Sequence, residues 1–228
     1  MRRSAILLAL IFLLPQWSAF TATIDGSLIE WSEESLMGVD ENNATLHLDW
    51  DSDNLYIGWN GTDWASTTEG ADLFIYFNTS LGGSISSKDW NGVKVLPFEA
   101  NYGIVLEDST YIRLISYDGS SWQEAGIVEN YTGWADNKIT ELSIPFSSIG
   151  NPTNLDVMLW AQWQDAGNVW TAFPLNNSLS QFSHYYRAEN ISTTGPADLV
   201  VIERATPDKV DDALNLAIIF HQHQPYYK

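Results

Sequence analysis

The chain reads as all-β, and two observations carry that reading. Short segments of alternating or continuous apolar character follow one another at intervals of roughly ten residues, separated by clusters of Asp, Asn, Gly and Ser. Between Thr23 and Ser192 no segment holds apolar residues at helical spacing beyond Phe146 to Ile149, at most one turn. Many short strands of this kind specify a sandwich or a barrel.

The elements follow in order. Arg2 and Arg3 precede an apolar stretch from Ala5 to Leu14, which Pro15 ends and the small residues Ser18, Ala19 and Ala22 follow. This pattern predicts a secretion signal over residues 1–22, cut between Ala19 and Ala22. The ten apolar residues are too few to span a bilayer. Ala44 to Trp50 alternates cleanly, with Ala44, Leu46, Leu48 and Trp50 on one face and Thr45, His47 and Asp49 on the other. The turn Asp51-Ser52-Asp53-Asn54 then leads into Leu55 to Trp59, giving a hairpin. Further strands are expected at Asp72–Asn78, Tyr102–Glu107, Tyr111–Tyr117, Ile139–Ile144, Asp156–Gln164 and Val169–Phe173, with Asp118-Gly119 as a second hairpin turn.

Ser192 to Pro196 marks a boundary. The all-β body is therefore expected over 23–192 and a linker over 193–213. Within that linker, Asp198 to Arg204 is strand-like, and Thr206 to Asp212 is a charged connector. Leu214 to Phe220 is then a continuous apolar run, the pattern of a buried strand in a parallel sheet. It ends in His221-Gln222-His223-Gln224-Pro225, at the strand end where α/β barrels hold substrate. Residues 214–228 are thus expected to be the first strand of a further, truncated barrel. His221 and His223 share a strand face, but no third zinc ligand accompanies them.

Composition narrows the partners. The formal net charge is −19, and loss of Arg2 and Arg3 with the signal takes it to −21. Such acidity disfavours nucleic acid and acidic polysaccharide, and leaves neutral sugars and cations open. The chain has no cysteine, so disulfides contribute nothing. Asn43, Asn60, Asn78, Asn130, Asn176 and Asn190 each head an Asn-x-Ser/Thr triplet, which fits a secreted, extracellular or cell-surface protein.

The chain holds 11 tryptophans. Flat aromatic faces stack on the C–H face of pyranose rings, and they also fill cores. Trp31, Trp50 and Trp59 are expected in the core, while Trp160 and Trp163 lie on opposite faces of one strand. Trp64, Trp90, Trp122 and Trp134 fall among loop residues. Trp64, Trp90, Trp163 and Trp170 are the candidate sugar-binding set. The acidic run Asp49 to Asn54 fails the EF-hand pattern, because Asn54 stands where Gly is required and Asn60 where the bidentate Glu belongs. It is read as a turn.

Two resemblances add to this reading. His221, His223, Gln224 and Pro225 after Leu216 to Phe220 resemble the opening motif of glycoside hydrolase family 57. That family holds α-amylases, amylopullulanases and glucanotransferases on an incomplete (β/α) barrel. The resemblance implies that His221, His223 and Gln224 line substrate in a full enzyme. Its nucleophilic glutamate and acid/base aspartate have no counterpart here, so the chain is expected to be catalytically inert. Ile24-Asp25-Gly26 with Glu30-Trp31, the hairpin Leu48 to Trp59, Asp72 to Phe77 and Glu141-Leu142-Ser143-Ile144-Pro145 resemble DOMON-like and family 9 carbohydrate-binding sandwiches. This implies an antiparallel β-sandwich of jelly-roll or immunoglobulin-like type, with structural Ca2+ as a possible companion. The expected function is binding of a neutral polysaccharide, an α-glucan such as starch or pullulan. Its rivals are a structural spacer and a haem-binding redox module using Met37, Met158, His47 or His184.

Overall fold

The computed structural model describes residues 22–61, 71–108, 111–128, 130–133, 139–164, 166–191 and 196–204. Every strand pairing among them is antiparallel. The first sheet has the order β1 (Leu36–Val39), β2 (Thr45–Trp50), β3 (Asn54–Asn60), β11 (Ile139–Pro145) and β10 (Asn130–Gly133). The second runs β15 (Val200–Glu203), β14 (His184–Ala188), β12 (Leu155–Trp163), β4 (Ala71–Asn78), β7 (Tyr102–Asp108), β8 (Tyr111–Tyr117) and β9 (Trp122–Ile127). The remaining strand of this sheet, β13 (Val169–Phe173), pairs with the far half of β12, beyond the stretch that β14 occupies. A small ribbon of β5 (Ser84–Ser86) and β6 (Val95–Ala100) completes the set.

Period-two alternation explains the layers. From the first sheet, Leu46, Leu48, Ile57, Trp59 and Leu142 enter one buried cluster with Leu73, Ile75, Ile104, Val157 and Leu159 of the second. The second sheet is buried on its other face too. Phe74, Tyr76, Val105, Met158 and Trp160 form a separate cluster with Leu96, Phe98 and Ala100 of β6. This two-sided burial is why β4 and β12 read as nearly unbroken apolar runs. Trp160 lies flat between Phe74 and Tyr76, at 5.1 Å and 13° from the one and 5.2 Å and 5° from the other.

The expected hairpins form. Asp51 joins β2 to β3 by accepting the N–H groups of Asp53 and Asn54, both at 2.7 Å. Burial pushes its carboxyl upward, but the Tyr56 hydroxyl at 2.6 Å and those two amides outweigh burial and hold it below the usual range. Asp118 joins β8 to β9 by accepting from Ser120 and Ser121, which lowers its pKa to about 2. Phe146–Ile149 is a single 3-10 turn closed by Gly150 at φ 87°, a left-handed position suited to glycine. The Asp198 to Arg204 piece contains β15, which joins the edge of the second sheet against β14, so that sheet continues into the span assigned to the linker. The expected signal, the expected connector after Arg204 and the apolar tail through His221, His223 and Gln224 lie outside the described residues, save Ala22.

Candidate functional site

The outer face of the first sheet is closed by residues 22–35, and one side chain fixes them there. Glu141, in the middle of β11, is fully buried. Its Oε2 accepts the backbone N–H groups of Asp25, Gly26 and Ser27 at 3.0, 2.6 and 3.2 Å, and its Oε1 accepts Trp31 Nε1 at 2.9 Å. Four donors converging on one carboxylate replace the water it loses on burial. Gly58 of β3 makes room for the same segment, since a Cβ there would come within 2.8 Å of Leu28 and 3.2 Å of the Trp31 ring. Trp31, Tyr56 and Ala22 complete a small apolar cluster. The Ile-Asp-Gly…Glu-Trp entry and the Glu141 segment are thus two halves of one clasp.

Asp25 and Glu30 bring their carboxylates within 4.8 Å of that of Glu141, and these are the residues that could hold a cation. They suit one poorly. Calcium takes six to eight oxygens as a rule, whereas the Glu141 oxygens already serve N–H donors, and Glu30 Oε1 accepts from Thr23 N at 3.2 Å. The acidic run Asp49 to Asn54 spans the end of β2, the turn Asp51–Asp53 and the start of β3.

His47 and Asp49 face the same side of β2 as this clasp. His47 Nδ1 lies 3.1 Å from Ser35 Oγ, its ring meets Trp31 edge-on at 5.7 Å, and burial lowers its pKa. Burial also raises Asp49 to about 6, with a Trp50 N–H bond opposing and Glu34 adding to the rise. A carboxyl with a folded-state pKa above its unfolded value makes stability fall as pH rises from about 4 to about 6. Asp49→Asn is therefore expected to raise unfolding free energy at pH 8 by roughly 2–3 kcal/mol, and by almost nothing at pH 4. His47 acts in the opposite sense, its contribution being lost as pH falls below its unfolded value, and it is common to both proteins. Urea titrations of the two at pH 4 and pH 8 check this. An equal gain at both would show that Asp49 is not the titrating group.

Of the candidate sugar-binding tryptophans, the structure brings two together. Trp163, the last residue of β12, is 49% exposed. Its ring lies 6.4 Å from that of Trp170 on β13, tilted by 35°. Trp170 in turn meets the wholly buried Trp59 edge-on at 6.2 Å. The three form a column from the core between the sheets to the surface, beside the turn that returns β12 into β13. Trp163 N donates to Asn168 O at 3.0 Å and Gly167 N to Trp163 O at 2.8 Å, which fixes the base of that turn. Trp170 Nε1 is buried with no acceptor among the described residues.

Trp90 stands apart, on the opposite face of the second sheet. It is half-buried against the outer cluster, donates to Asp72 Oδ2 at 3.1 Å, and packs on Tyr111 at 5.3 Å. The backbone oxygen of Trp90 accepts from buried Gln162 at 2.8 Å. Trp64 and Trp134 lie outside the described residues. Trp122 packs edge-on against Tyr76 and donates to Ser86 O, so it is part of the outer cluster. Trp31, Trp50 and Trp59 are core, as expected, and Trp160 and Trp163 do part to opposite faces.

The sequons divide by position. Asn43, Asn176 and Asn190 are exposed. Asn60 and Asn78 are half-buried at strand ends, and Asn78 Nδ2 donates to Asp156 at 3.2 Å. Asn130 opens β10. The four residues weighed as haem ligands do not converge. Met158 is locked in the outer cluster of the second sheet, Met37 packs against the cluster between the sheets, His47 lies under the clasp, and His184 bonds Ser183 at 2.9 Å. No helix among the described residues is long and apolar enough to cross a membrane. No protein-family model, curated protein or solved structure matches the chain.

Proposed function

We propose that this chain is a secreted carbohydrate-binding β-sandwich that tethers an α-glucan-degrading glycoside hydrolase, resembling family 57, to its polysaccharide. The observation that carries the reading is the Trp163–Trp170 pair. The Trp163 ring at the end of β12 stands half in solvent and is backed by the partly buried Trp170, which in turn rests on the buried Trp59. Its flat face and its rigid backing suit the C–H face of a pyranose ring, because little side-chain freedom is lost on stacking. The acidic chain favours a neutral glycan over a charged one. Exposed Asn43, Asn176 and Asn190 in sequons support secretion, and the His221-Gln222-His223-Gln224-Pro225 tail supports the link to a hydrolase. Binding need not be strong. A weak module keeps an attached catalytic domain near a multivalent polymer through effective concentration.

Affinity electrophoresis of the mature chain in starch, pullulan and xylan gels tests the reading. Retardation is expected on the α-glucans. Trp163→Ala is expected to weaken it about 30-fold, or about 2 kcal/mol, as for a central aromatic contact. A chain that migrates freely in every glucan gel would be a spacer rather than a binding module. Retardation unaffected by Trp163→Ala would place the sugar elsewhere.

A further inference from the structure

One cavity of the described molecule has neither Trp163 nor Trp170 in its lining. It is a groove of about 660 Å³ between the Val93–Val95 stretch, the loop 179–183 and Arg204. Val93, Val95 and Leu179 are 52, 58 and 47% exposed along it. Among the described residues its charged lining side chains are Lys94 and Arg204, with no carboxylate. In a chain with 29 acidic and 10 basic side chains that is a local inversion of charge. Both cations are held in place. Lys94 Nζ donates to Gly167 O at 2.7 Å, and Arg204 Nη1 to Leu96 O at 3.1 Å. Each keeps further N–H donors for an anion. Arg204 is itself anchored, its backbone N–H donating to Ser183 O at 2.7 Å.

The segment that follows Arg204 has the complementary chemistry. Thr206 to Ala213 reads Thr-Pro-Asp-Lys-Val-Asp-Asp-Ala, three acids and one base interleaved with Pro207, Val210 and Ala213. It begins two residues after a groove-lining side chain. At about 3.3–3.6 Å per residue, eight extended residues reach at most ~29 Å. We infer that Thr206–Ala213 docks in this groove. Val210 and Pro207 cover Val93, Val95 and Leu179, and Asp208, Asp211 and Asp212 face Lys94 and Arg204. The connector would then be a fitted strap instead of a free tether, and whatever follows Ala213 would leave the β domain in a set direction. This is independent of what the Trp163 surface binds.

The absence of native cysteine makes the test clean. In the full chain, Val95→Cys with Val210→Cys is oxidised mildly beside a control of Leu81→Cys with Val210→Cys, since Leu81 is fully exposed and outside the groove. Circular dichroism verifies the fold of each protein, and Leu179→Cys replaces Val95→Cys should the latter fail to fold. The groove pair is expected to form an intrachain disulfide at least tenfold faster than the control. Adding Asp211→Lys and Asp212→Lys, or about 1 M salt, which shortens the screening length to ~3 Å, is expected to reduce that rate to the control level. Equal rates for the two pairs, or interchain dimers alone, overturn the proposal.

Discussion

Replacing Glu141 by alanine is expected to lower the unfolding free energy by about 3–5 kcal/mol, the range for loss of a buried hydrogen-bonding hub. The change strips three backbone amides and Trp31 Nε1 of a shared acceptor and leaves a void under the clasp. Glu141→Gln keeps the shape but turns one acceptor oxygen into an N–H donor pointed at other donors, so it should be nearly as damaging. Urea unfolding followed by tryptophan fluorescence gives the number. A loss below about 1 kcal/mol would mean that the amides find water as readily as they find the carboxylate.

Trp160→Ala should cost a similar amount, about 3–5 kcal/mol, through a different mechanism. The ring is 1% exposed and stacked on both sides, with its Nε1 held by Gln162 at 3.1 Å. Its loss opens a cavity beneath Phe182 and the β6 cover. The comparison with Trp163→Ala is the sharper result. Two tryptophans three residues apart on one strand should separate completely, the first governing stability and the second glucan retardation. If Trp160→Ala left stability intact while abolishing retardation, the functional face of the second sheet would be the outer one.

Much of this was legible in the chain, for reasons that differ by element. Strands with one buried face declare themselves by alternation, as at β2, and those buried on both sides by apolar runs, as at β4 and β12. The turns at Asp51 and Asp118 were readable because a carboxylate that bonds amides two and three residues ahead is a local event. The strands that escaped notice lack those signals. β9, Trp-Gln-Glu-Ala-Gly-Ile, is an exposed edge strand, β6 is interrupted by Pro97, and β14 mixes two tyrosines with His184 and Arg187. Glu141 was visible only as one letter of a motif. Its partners are 110 to 116 residues away, and no local pattern announces a contact of that range. The tryptophans show the same divide. Strand parity separated Trp160 from Trp163, but only folding could set Trp170 beside Trp163 and Trp90 behind the sheet.

The pairing of Val200–Glu203 with β14 bears on where this unit can be severed from whatever adjoins it. A cut at Ser192, where composition changes, would remove β15 and leave the N–H and C=O groups of His184 to Arg187 bare along one side. Naked edges of that kind recruit strands from other molecules. It would also remove Arg204, whose guanidinium and amide tie the chain back to Leu96 and Ser183. A cut that respects this pairing falls no earlier than Arg204, a dozen residues beyond the place where the letters change character, and a gene fragment ending sooner is expected to encode an aggregation-prone half-edge.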